Sequence, residues 1–363
     1  MGNNLSLLRL TIIFIILLLV SCNDRKGAIE TEKSVDGIES IKFSPEAAET
    51  IPFNDLFREY RILKFQQSDK SNSISGPIFR TDSFLIKGFK GFRVYDTLGN
   101  LVKAVEKKES EDELLFYSAH FYADNNQITI TRSDKWGKYL LDGAVVSKGK
   151  ANFTFPPTCF IMANDTTWLF YNRHSMDRDT LRLWTTDQDF HLKKIYMSYD
   201  KLSPKSGMGA PYKFIHQTAD GIYIADDITD TIYKFSETKI EPQYVFDFNR
   251  FNYSRRLTDK KLEKDEVVGL VTIVTDNVIL RRVFMNDKYF LIYYNRKERY
   301  SKTIDHFTGG PDLLSIARGV SSDDYSRLYW NLFPFDSSSF IGFPDLLSAS
   351  KQGGPFFIVS HLK

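Results

Sequence analysis

The residue types that most often do chemistry are scattered along this chain. Its six histidines are His120, His174, His191, His216, His306 and His361. None lies two, three or four residues from another, so the local spacing of a zinc site is absent. His120 and His216 fall in strand-like segments where they could line a channel, but hydrogen-bonded structural histidines are the simpler interpretation.

One acidic cluster, Asp226-Asp227-Ile228-Thr229-Asp230, places three carboxylates within five residues. A calcium loop needs an ordered series of oxygen ligands and usually a central glycine, which this cluster lacks. Aspartates that cap a tight turn explain it more simply. Gly-x-Ser-x-Gly and the glycine patterns of nucleotide-binding loops are also missing. The sequence therefore predicts no catalytic residue, no metal site and no cofactor, and it leaves the ligand-binding residues unknown.

Four tryptophans, Trp136, Trp168, Trp184 and Trp330, could stack on sugar rings. Trp168 and Trp184 lie in apolar strand-like runs and are expected in the core. Trp136 follows Ser133-Asp134-Lys135 and is expected to be exposed in a hairpin loop. A single exposed aromatic residue is ordinary on a protein surface, so it predicts no sugar site.

The N-terminus carries an export pattern. An apolar run at residues 10–20 follows Arg9 and ends in Leu19-Val20-Ser21-Cys22. A basic start, a short apolar stretch and a small residue describe a secretory signal. The run has about half of the roughly 20 residues of a transmembrane helix. Residues 1–6 also fit an N-myristoylation pattern, but the apolar segment directly behind them would send the chain to export first.

Cys22, placed directly after Leu-Val-Ser, makes this stretch resemble the lipobox of bacterial lipoproteins. The resemblance implies a signal peptide at residues 1–21, acylation of Cys22 and attachment to a membrane. Polar residues 22–40 are expected to form a flexible tether, and residues 41–363 the folded part. With Cys22 acylated, Cys159 has no disulfide partner and is expected to be a buried, inert thiol.

Composition favours an all-β protein without a nucleic-acid partner. Lys and Arg number 48 against 46 Asp and Glu, whereas nucleic acid demands a concentrated positive surface. Aromatic residues make up 15% of the chain, and such side chains suit pleated sheets. The length allows two average domains or one large all-β domain.

One pattern recurs along the chain: a strand rich in aromatic and branched residues, a turn with Asp, Asn or Gly, and a second strand. It starts near residues 84, 127, 167, 222 and 289, with a weaker copy near Phe340. Most copies have a further strand ahead, such as residues 278–285 before the fifth. The spacing of roughly 40–50 residues is typical of propeller blades. The sequence thus predicts a six-bladed β-propeller of four-stranded antiparallel blades.

Three local features complete the expected propeller. Residues 60–65 are predicted to pair into the last blade and close the ring, so deleting residues 46–70 should leave an open, aggregating edge. Residues 257–266, with Thr258 as N-cap, predict a short helix between the fourth and fifth units. Residues 343–347 predict the start of another helix.

The chain also resembles a known family. Tyr212-Lys213-Phe214, with Gly221-Ile222-Tyr223-Ile224 and residues 230–233, is similar to a blade of the six-bladed, NHL-like propeller lipoproteins common in Bacteroidota. Residues 92–101 resemble their first complete blade. The resemblance covers about residues 40 to 360. Residues 109–114 depart from it, because family members often carry a Gly-Pro-Gly-Glu-type segment there. It implies a fold and an envelope location, not a reaction.

Thr97 is a candidate modification site. Asp96-Thr97-Leu98, like residues 179–181 and 230–232, resembles the O-glycosylation site of exported Bacteroidota proteins. The alternative is that Asp and Thr serve the turn and the start of the strand. The sequence does not separate the two.

Three functional hypotheses follow for a monomer anchored by lipid at the outer membrane, on either its periplasmic or its outer side. The first is a non-catalytic binding or scaffold propeller for a glycan, a peptide or a partner in an uptake system. The second is a hydrolase or lyase with its active site in the central channel, since propellers host such activities. A purely structural envelope protein is a third hypothesis.

Overall fold

The computed structural model describes most of the chain beyond the signal region. The described residues are 29–30, 37–64, 78–80, 84–88, 91–108, 110–116, 120–123, 127–132, 134–151, 159–172, 181–198, 214–226, 229–253, 263–308, 332–334, 339–342 and 356–362. Strands dominate these ranges. No helix among these residues is both long and apolar enough to cross a membrane.

An N-terminal segment precedes the repeated sheets. It contains β1 (Ile29–Glu30), β2 (Glu39–Lys42), β3 (Glu49–Pro52), a one-turn helix α1 (Phe53–Leu56) and β4 (Phe57–Lys64). A second one-turn helix, α2 (Glu113–Phe116), lies between the first and second blades.

Six antiparallel sheets of four strands follow, and the first five blades are contiguous in sequence. From inner to outer strand, blade 1 contains β5 (Ile78–Arg80), β6 (Phe84–Gly88), β7 (Gly91–Tyr95) and β8 (Leu101–Glu106), and blade 2 contains β9 (His120–Ala123), β10 (Gln127–Arg132), β11 (Lys135–Leu140) and β12 (Val145–Lys150). Blade 3 contains β13 (Cys159–Asn164), β14 (Thr167–Tyr171), β15 (Leu181–Thr186) and β16 (Leu192–Ser198), and blade 4 contains β17 (Ile215–Thr218), β18 (Gly221–Ile224), β19 (Thr231–Phe235) and β20 (Ile240–Asp247). Blade 5 contains β22 (Glu266–Val274), β23 (Val278–Met285), β24 (Lys288–Asn295) and β25 (Tyr300–Thr308), with β21 (Asn252–Tyr253) beside β22, and blade 6 contains β26 (Leu332–Pro334), β27 (Ser339–Gly342), β28 (Phe356–Leu362) and β4.

The blades are arranged radially. The first strands of successive blades are neighbours, with β9 beside β13, β13 beside β17, β17 beside β22 and β22 beside β26. These strands therefore form the inner ring, and the predicted six-bladed β-propeller is confirmed.

The apolar core lies between blades. Phe92 and Val94 of blade 1 share a cluster with Ile128 and Ile130 of blade 2. Similar clusters join blade 3 to blade 4 and blade 4 to blade 5. Each sheet is too thin to bury its own faces, so each relies on the next one for cover.

Ring closure follows the prediction. β4 pairs with β28 in antiparallel register, from Lys64 opposite Phe356 to Phe57 opposite Leu362. The N-terminal segment thus supplies the outer strand of the last blade. Phe57 also stacks on Phe53 of α1, with ring centroids 4.5 Å apart.

The same segment covers two outer edges. β2 pairs in parallel with β20 of blade 4, and β3 pairs in parallel with β25 of blade 5. Ile41 and Phe43 are buried there, and the Phe43 ring meets the Phe248 and Phe290 rings edge-on at 5.7 Å. We call β2 and β3 together the strap. It covers two strand edges at which other chains could pair.

Blade 5 differs from the sequence prediction by one strand. Residues 278–285 form its second strand, and the first strand is β22. Residues 263–265 form a turn and Glu266 begins β22, so the predicted helix at 257–266 is wrong at its C-terminal end. The apolar, β-branched run from Val267 onward fits a buried strand. The rest of that helix, with Thr258, and the helix start at 343–347 lie outside the described residues.

The expected tether at residues 22–40 also changes. Residues 29–30 form β1, which pairs with β25, and residues 39–40 begin β2. Residues 1–28, including the signal and Cys22, lie outside the described part of the chain.

Shortening a buried side chain of the strap should destabilise the propeller. The Ile41→Ala substitution removes a fully buried side chain, so we expect the free energy of unfolding to fall by about 2–5 kcal/mol. The measurement is urea denaturation followed by tryptophan fluorescence. Val146→Ala is the matched control, because Val146 also lies on an outer strand but is 49% exposed. Equal effects of the two substitutions would contradict a stabilising role for the strap.

Candidate functional site at the long-connection face

The strand order creates two unequal faces. Turns between the first and second strands of a blade, and between the third and fourth, lie at one face and span at most five residues, such as 219–220 and 296–299. We call it the tight-turn face. The second and third strands of a blade, and successive blades, are linked from strand ends at the opposite face, and some of these strand ends are far apart in sequence, such as Tyr171 and Leu181, Ser198 and Ile215, and Thr308 and Leu332. This long-connection face is the candidate site, because binding residues concentrate on loops held by a rigid scaffold.

A buried ionic cluster organises the long-connection face. Asp226, 3% exposed, lies in the connection between β18 and β19. Its Oδ2 accepts hydrogen bonds from the Tyr171 hydroxyl and from Arg182 Nη2, the latter at 2.5 Å. Its Oδ1 accepts from the Thr229 backbone N–H at 2.8 Å and from the Thr229 hydroxyl at 2.9 Å. Blade 3, through Tyr171 and Arg182, therefore holds a connection of blade 4.

Blade 5 joins the same cluster through Arg281. This fully buried residue of β23 donates from Nη2 to the Thr229 backbone oxygen at 2.8 Å. Its guanidinium lies 4.5 Å from the centroid of the Phe246 ring, a cation–π geometry. Three adjacent blades are thus joined through Asp226 and Thr229 of the connection between β18 and β19.

The cluster keeps Asp226 charged. Burial by itself would raise the pKa of the Asp226 carboxyl, but the Arg182 charge and the hydrogen bonds from Tyr171, Arg182 and Thr229 outweigh it and hold that pKa below its usual value. Burial would likewise lower the pKa of Arg182, but Tyr171 and Asp226 raise it further than burial lowers it. Both Asp226 oxygens already accept two hydrogen bonds, so this carboxylate is committed to the fold rather than to proton transfer.

A second tyrosine–carboxylate–cation set lies at the tight-turn face. Asp220 Oδ2 accepts from the Tyr223 hydroxyl at 2.6 Å and from Arg296 Nη2 at 2.8 Å. Arg296 belongs to the turn after β24 and also donates to the Thr275 backbone oxygen at 2.6 Å. Blades 4 and 5 are therefore joined at this face too. Although burial opposes it, hydrogen bonds from Tyr223, Thr218 and Arg296 hold the pKa of Asp220 well below its usual range.

A third set fixes the connection between blades 1 and 2. Asp112 Oδ1 accepts from the Tyr139 hydroxyl at 3.2 Å, and Oδ2 accepts from Lys148 Nζ at 2.8 Å. The Leu114 backbone N–H also donates to Asp112 Oδ1, at 3.1 Å. Asp112 thus caps α2 and ties it to two strands of blade 2.

The acidic cluster singled out in the sequence is divided between structural roles. Asp226 accepts the Thr229 N–H, as a turn-capping aspartate does, but its main partners come from blade 3. The Asp230 carboxylate accepts from the Thr231 hydroxyl at 2.9 Å. Asp227 lies outside the described residues. Across the described ranges, no group of three or more His, Cys, Asp or Glu side chains could hold a metal ion.

The expectation that Trp136 is exposed is wrong. Trp136 lies in β11 with 5% of its surface exposed and stacks on Phe190 at 4.9 Å. Gly149 on β12 pairs with it, and a Cβ there would come within 2.6 Å of the indole. The ring lies over this glycine, so a residue that follows the hairpin turn is still buried. Phe190 adopts a left-handed backbone (φ 65°) and also stacks on Trp168.

The other singled-out residues that the structure describes have ordinary positions. Trp168 and Trp184 are buried, as predicted, and His216 is buried in the inner strand β17. Cys159 lies at the start of β13 and is only partly buried, rather than fully buried as expected. His191 lies exposed in a turn, 3.1 Å from the Asp187 carboxylate. Trp330 and the side chains of His120, His174, His306 and His361 lie outside the described residues.

Thr97 lies exposed in the turn between β7 and β8. Asp96 Oδ1 accepts from the Leu98 and Asn100 backbone N–H groups at 2.8 and 2.9 Å, so the aspartate has a turn role of its own. The equivalent Thr231 instead begins strand β19 and donates its hydroxyl to Asp230. Thr97 is therefore an accessible candidate for O-glycosylation, and Thr180 of the third motif lies outside the described residues.

Neutralising Asp226 should destabilise the propeller in a pH-dependent way. We expect Asp226→Asn to cost about 3 kcal/mol near pH 7, because it leaves the Arg182 charge uncompensated. A carboxyl with a lowered pKa stabilises the fold above its usual value of about 3.9, and this stabilisation is lost as pH falls further. The difference from the parent protein in urea midpoint should therefore shrink below about pH 4.

Asp142→Asn is the control for this measurement. Asp142 is exposed and accepts only a local turn bond, from the Ala144 N–H at 2.8 Å. We expect a change within about 0.5 kcal/mol. A pH-independent loss for Asp226→Asn would show that the charge of Asp226 does not matter.

Intact-mass spectrometry of the native mature protein tests Thr97. If Thr97 carries a glycan, the mass exceeds that of polypeptide plus lipid, and Thr97→Val removes the excess. Serine at the same position should restore it. A mass equal to polypeptide plus lipid would leave Thr97 with its turn role alone.

Comparison with known proteins agrees with this architecture. A protein from Bacteroides fragilis NCTC 9343 described as exported superposes with a TM-score of 0.65 at 14% identity, over 89% of this chain and 99% of its own. A member of the duf4221 family from Bacteroides vulgatus superposes with a TM-score of 0.54 at 10% identity, over 85% and 97%. At such identities the likeness shows the fold alone. No curated protein sequence matches significantly.

A family model described as a 6-bladed beta-propeller matches residues 90–339, more than half of the chain. The match begins at blade 1 and extends into blade 6, in agreement with the strand pairing. The chain belongs to this family of six-bladed β-propellers.

Proposed function

We propose that this protein is a lipid-anchored envelope protein whose propeller binds a partner through the long-connection face and does no chemistry on it. The contrast between the two faces carries the proposal. At one face, successive strands of a blade are at most five residues apart, whereas strand ends at the other face are in several cases much farther apart in sequence. Binding residues are disproportionately found on loops that a rigid scaffold positions.

The side chains exposed near this face suit recognition. Tyr289, 38% exposed, follows the turn between β23 and β24, and the Arg282 guanidinium lies 4.3 Å from its ring centroid. Tyrosine and arginine are enriched among residues that dominate binding energy. Lys264, Asp287 and Lys288 are exposed at the same face of blade 5 and supply charges of both signs. Such a surface fits a polar ligand, namely a glycan, a peptide or a neighbouring uptake protein.

The carboxylates support binding over catalysis. Asp226, Asp112 and Asp220 each accept bonds from a tyrosine and a cation, in arrangements that fix blades and connections. A channel hydrolase or lyase would instead require acidic groups poised towards a substrate.

The envelope location is supported from two directions. Cys22 follows a lipobox-like sequence. A fold relative from Bacteroides is described as exported. The proposal therefore places the acylated chain at the outer membrane.

Metabolic labelling with an alkyne fatty acid tests the anchor. We expect the parent protein to be labelled and to sediment with membranes. Cys22→Ala should be unlabelled and should not appear as a mature membrane-bound protein. Membrane attachment without label at Cys22 would overturn the anchor.

Arrays of glycans and peptides test the binding role, with a soluble form that starts at Gly27. Because Tyr289 is an exposed aromatic at the long-connection face, Tyr289→Ala should weaken binding by about tenfold or more. Leu98→Ala is the control, since Leu98 is 73% exposed but lies at the tight-turn face. Equal losses would contradict the chosen face. Turnover of an array ligand would show that the propeller is an enzyme.

A further inference from the structure

The N-terminal segment is fixed to the propeller much closer to Cys22 than its composition suggests. β1 pairs with the start of β25 in antiparallel register, Ile29 opposite Ser301 and Glu30 opposite Tyr300. Tyr300 directly follows the turn at residues 296–299. The chain is therefore held at the outer rim of blade 5 as early as residues 29–30.

Later parts of the segment contact the same rim. Glu39 Oε1 lies 3.4 Å from Arg299 Nε, and Glu49 Oε2 lies 3.6 Å from Lys302 Nζ. The Ser301 hydroxyl donates to the Lys42 backbone oxygen at 3.3 Å. Four consecutive rim residues, 299–302, are thus contacted by three separate stretches of the N-terminal segment, β1, β2 and β3.

The spacing to Cys22 then limits the reach of the anchor. Only residues 23–28 separate Cys22 from Ile29. A fully extended chain advances about 3.3–3.6 Å per residue, so Cys22 lies within about 25 Å of Ile29. A free tether over residues 22–40 would reach about 60 Å on the same measure.

We propose that residues 23–28 are the whole linker between the acylated Cys22 and the propeller, and we call this linker the leash. The outer rim of blade 5, around residues 296–302, is then the surface that faces the lipid headgroups. The inference rests on the proposed acylation of Cys22. Blade 2 lies three blades away in the six-bladed ring, so its rim is the part of the propeller farthest from the membrane.

The leash, rather than charge, sets this orientation. Arg299 and Lys302 are paired with Glu39 and Glu49, and exposed Lys297 is followed by exposed Glu298. The rim is therefore almost neutral and has little electrostatic attraction for anionic headgroups. Raising the salt concentration to about 1 M, where the Debye length is about 3 Å, should leave the orientation unchanged.

The test uses the acylated full chain in lipid vesicles that contain a headgroup-attached nitroxide quencher. A fluorophore is placed through Lys297→Cys on blade 5 or Val146→Cys on blade 2, in a Cys159→Ser background. We expect stronger quenching at position 297 than at position 146. Equal quenching at the two positions would overturn the proposal.

Two insertions locate the fixed point. About 20 Gly/Ser residues inserted between Ala28 and Ile29 should lengthen the leash and abolish the difference in quenching. The same insertion between Lys33 and Ser34, beyond β1, should leave the difference intact. If both insertions act alike, β1 is not the fixed point and the proposal fails.

Failure of the anchor itself gives a different result. A chain without the lipid mass on Cys22 that does not sediment with the vesicles would refute the proposed acylation. A chain that is acylated and bound, but shows no difference between positions 297 and 146, would refute only the short leash.

Discussion

A four-stranded sheet with two apolar faces cannot cover itself, and the whole molecule follows from this constraint. Each blade buries its faces against its neighbours, as Phe92 and Val94 do against Ile128 and Ile130. No blade is therefore placed independently. The ring needs a device to close it, which is β4 on β28, and a device to protect exposed edges, which is the strap of β2 and β3. The N-terminal segment supplies both, so it is part of the propeller rather than an appendage.

Buried ionic sets fix the positions of blades and connections within this apolar core. A buried carboxylate is costly unless it is paired and hydrogen-bonded, so a set such as Tyr171, Asp226 and Arg182 tolerates one arrangement of its blades. The Asp112 set repeats the principle at the connection between blades 1 and 2. The net gain from such a buried set is small, but the cost of breaking it is large. The Asp220 carboxylate is half exposed, and its set joins blades 4 and 5 at the tight-turn face instead.

The sequence predicts local periodicity well and distant partners poorly. Alternating apolar residues and Asp- or Gly-containing turns identify most strands, and they identify residues 60–65 as the closing strand. β22 is not predicted because polar residues precede it without a turn signal. The burial of Trp136 is not predicted because Gly149 and Phe190 cover it. The hydrogen-bond partners of Asp226 are not predicted for a related reason, because Tyr171 and Arg182 belong to another blade. Only the fold brings such residues together.

The proposed position of the anchor bears on which face would be open to the proposed partner. β24 runs from Lys288 at the long-connection face to Asn295, just before the turn at 296–299. At about 3.3 Å per residue, Tyr289 lies about 20 Å along the strand from that turn. A leash fixed near Tyr300 therefore pulls on the opposite end of blade 5 from the Tyr289 and Arg282 pair. Had the lipid joined the chain at a long connection, the membrane would compete with any partner. With the fixed point beside the tight-turn end of the rim, the proposed attachment and the proposed recognition surface lie at opposite ends of one blade.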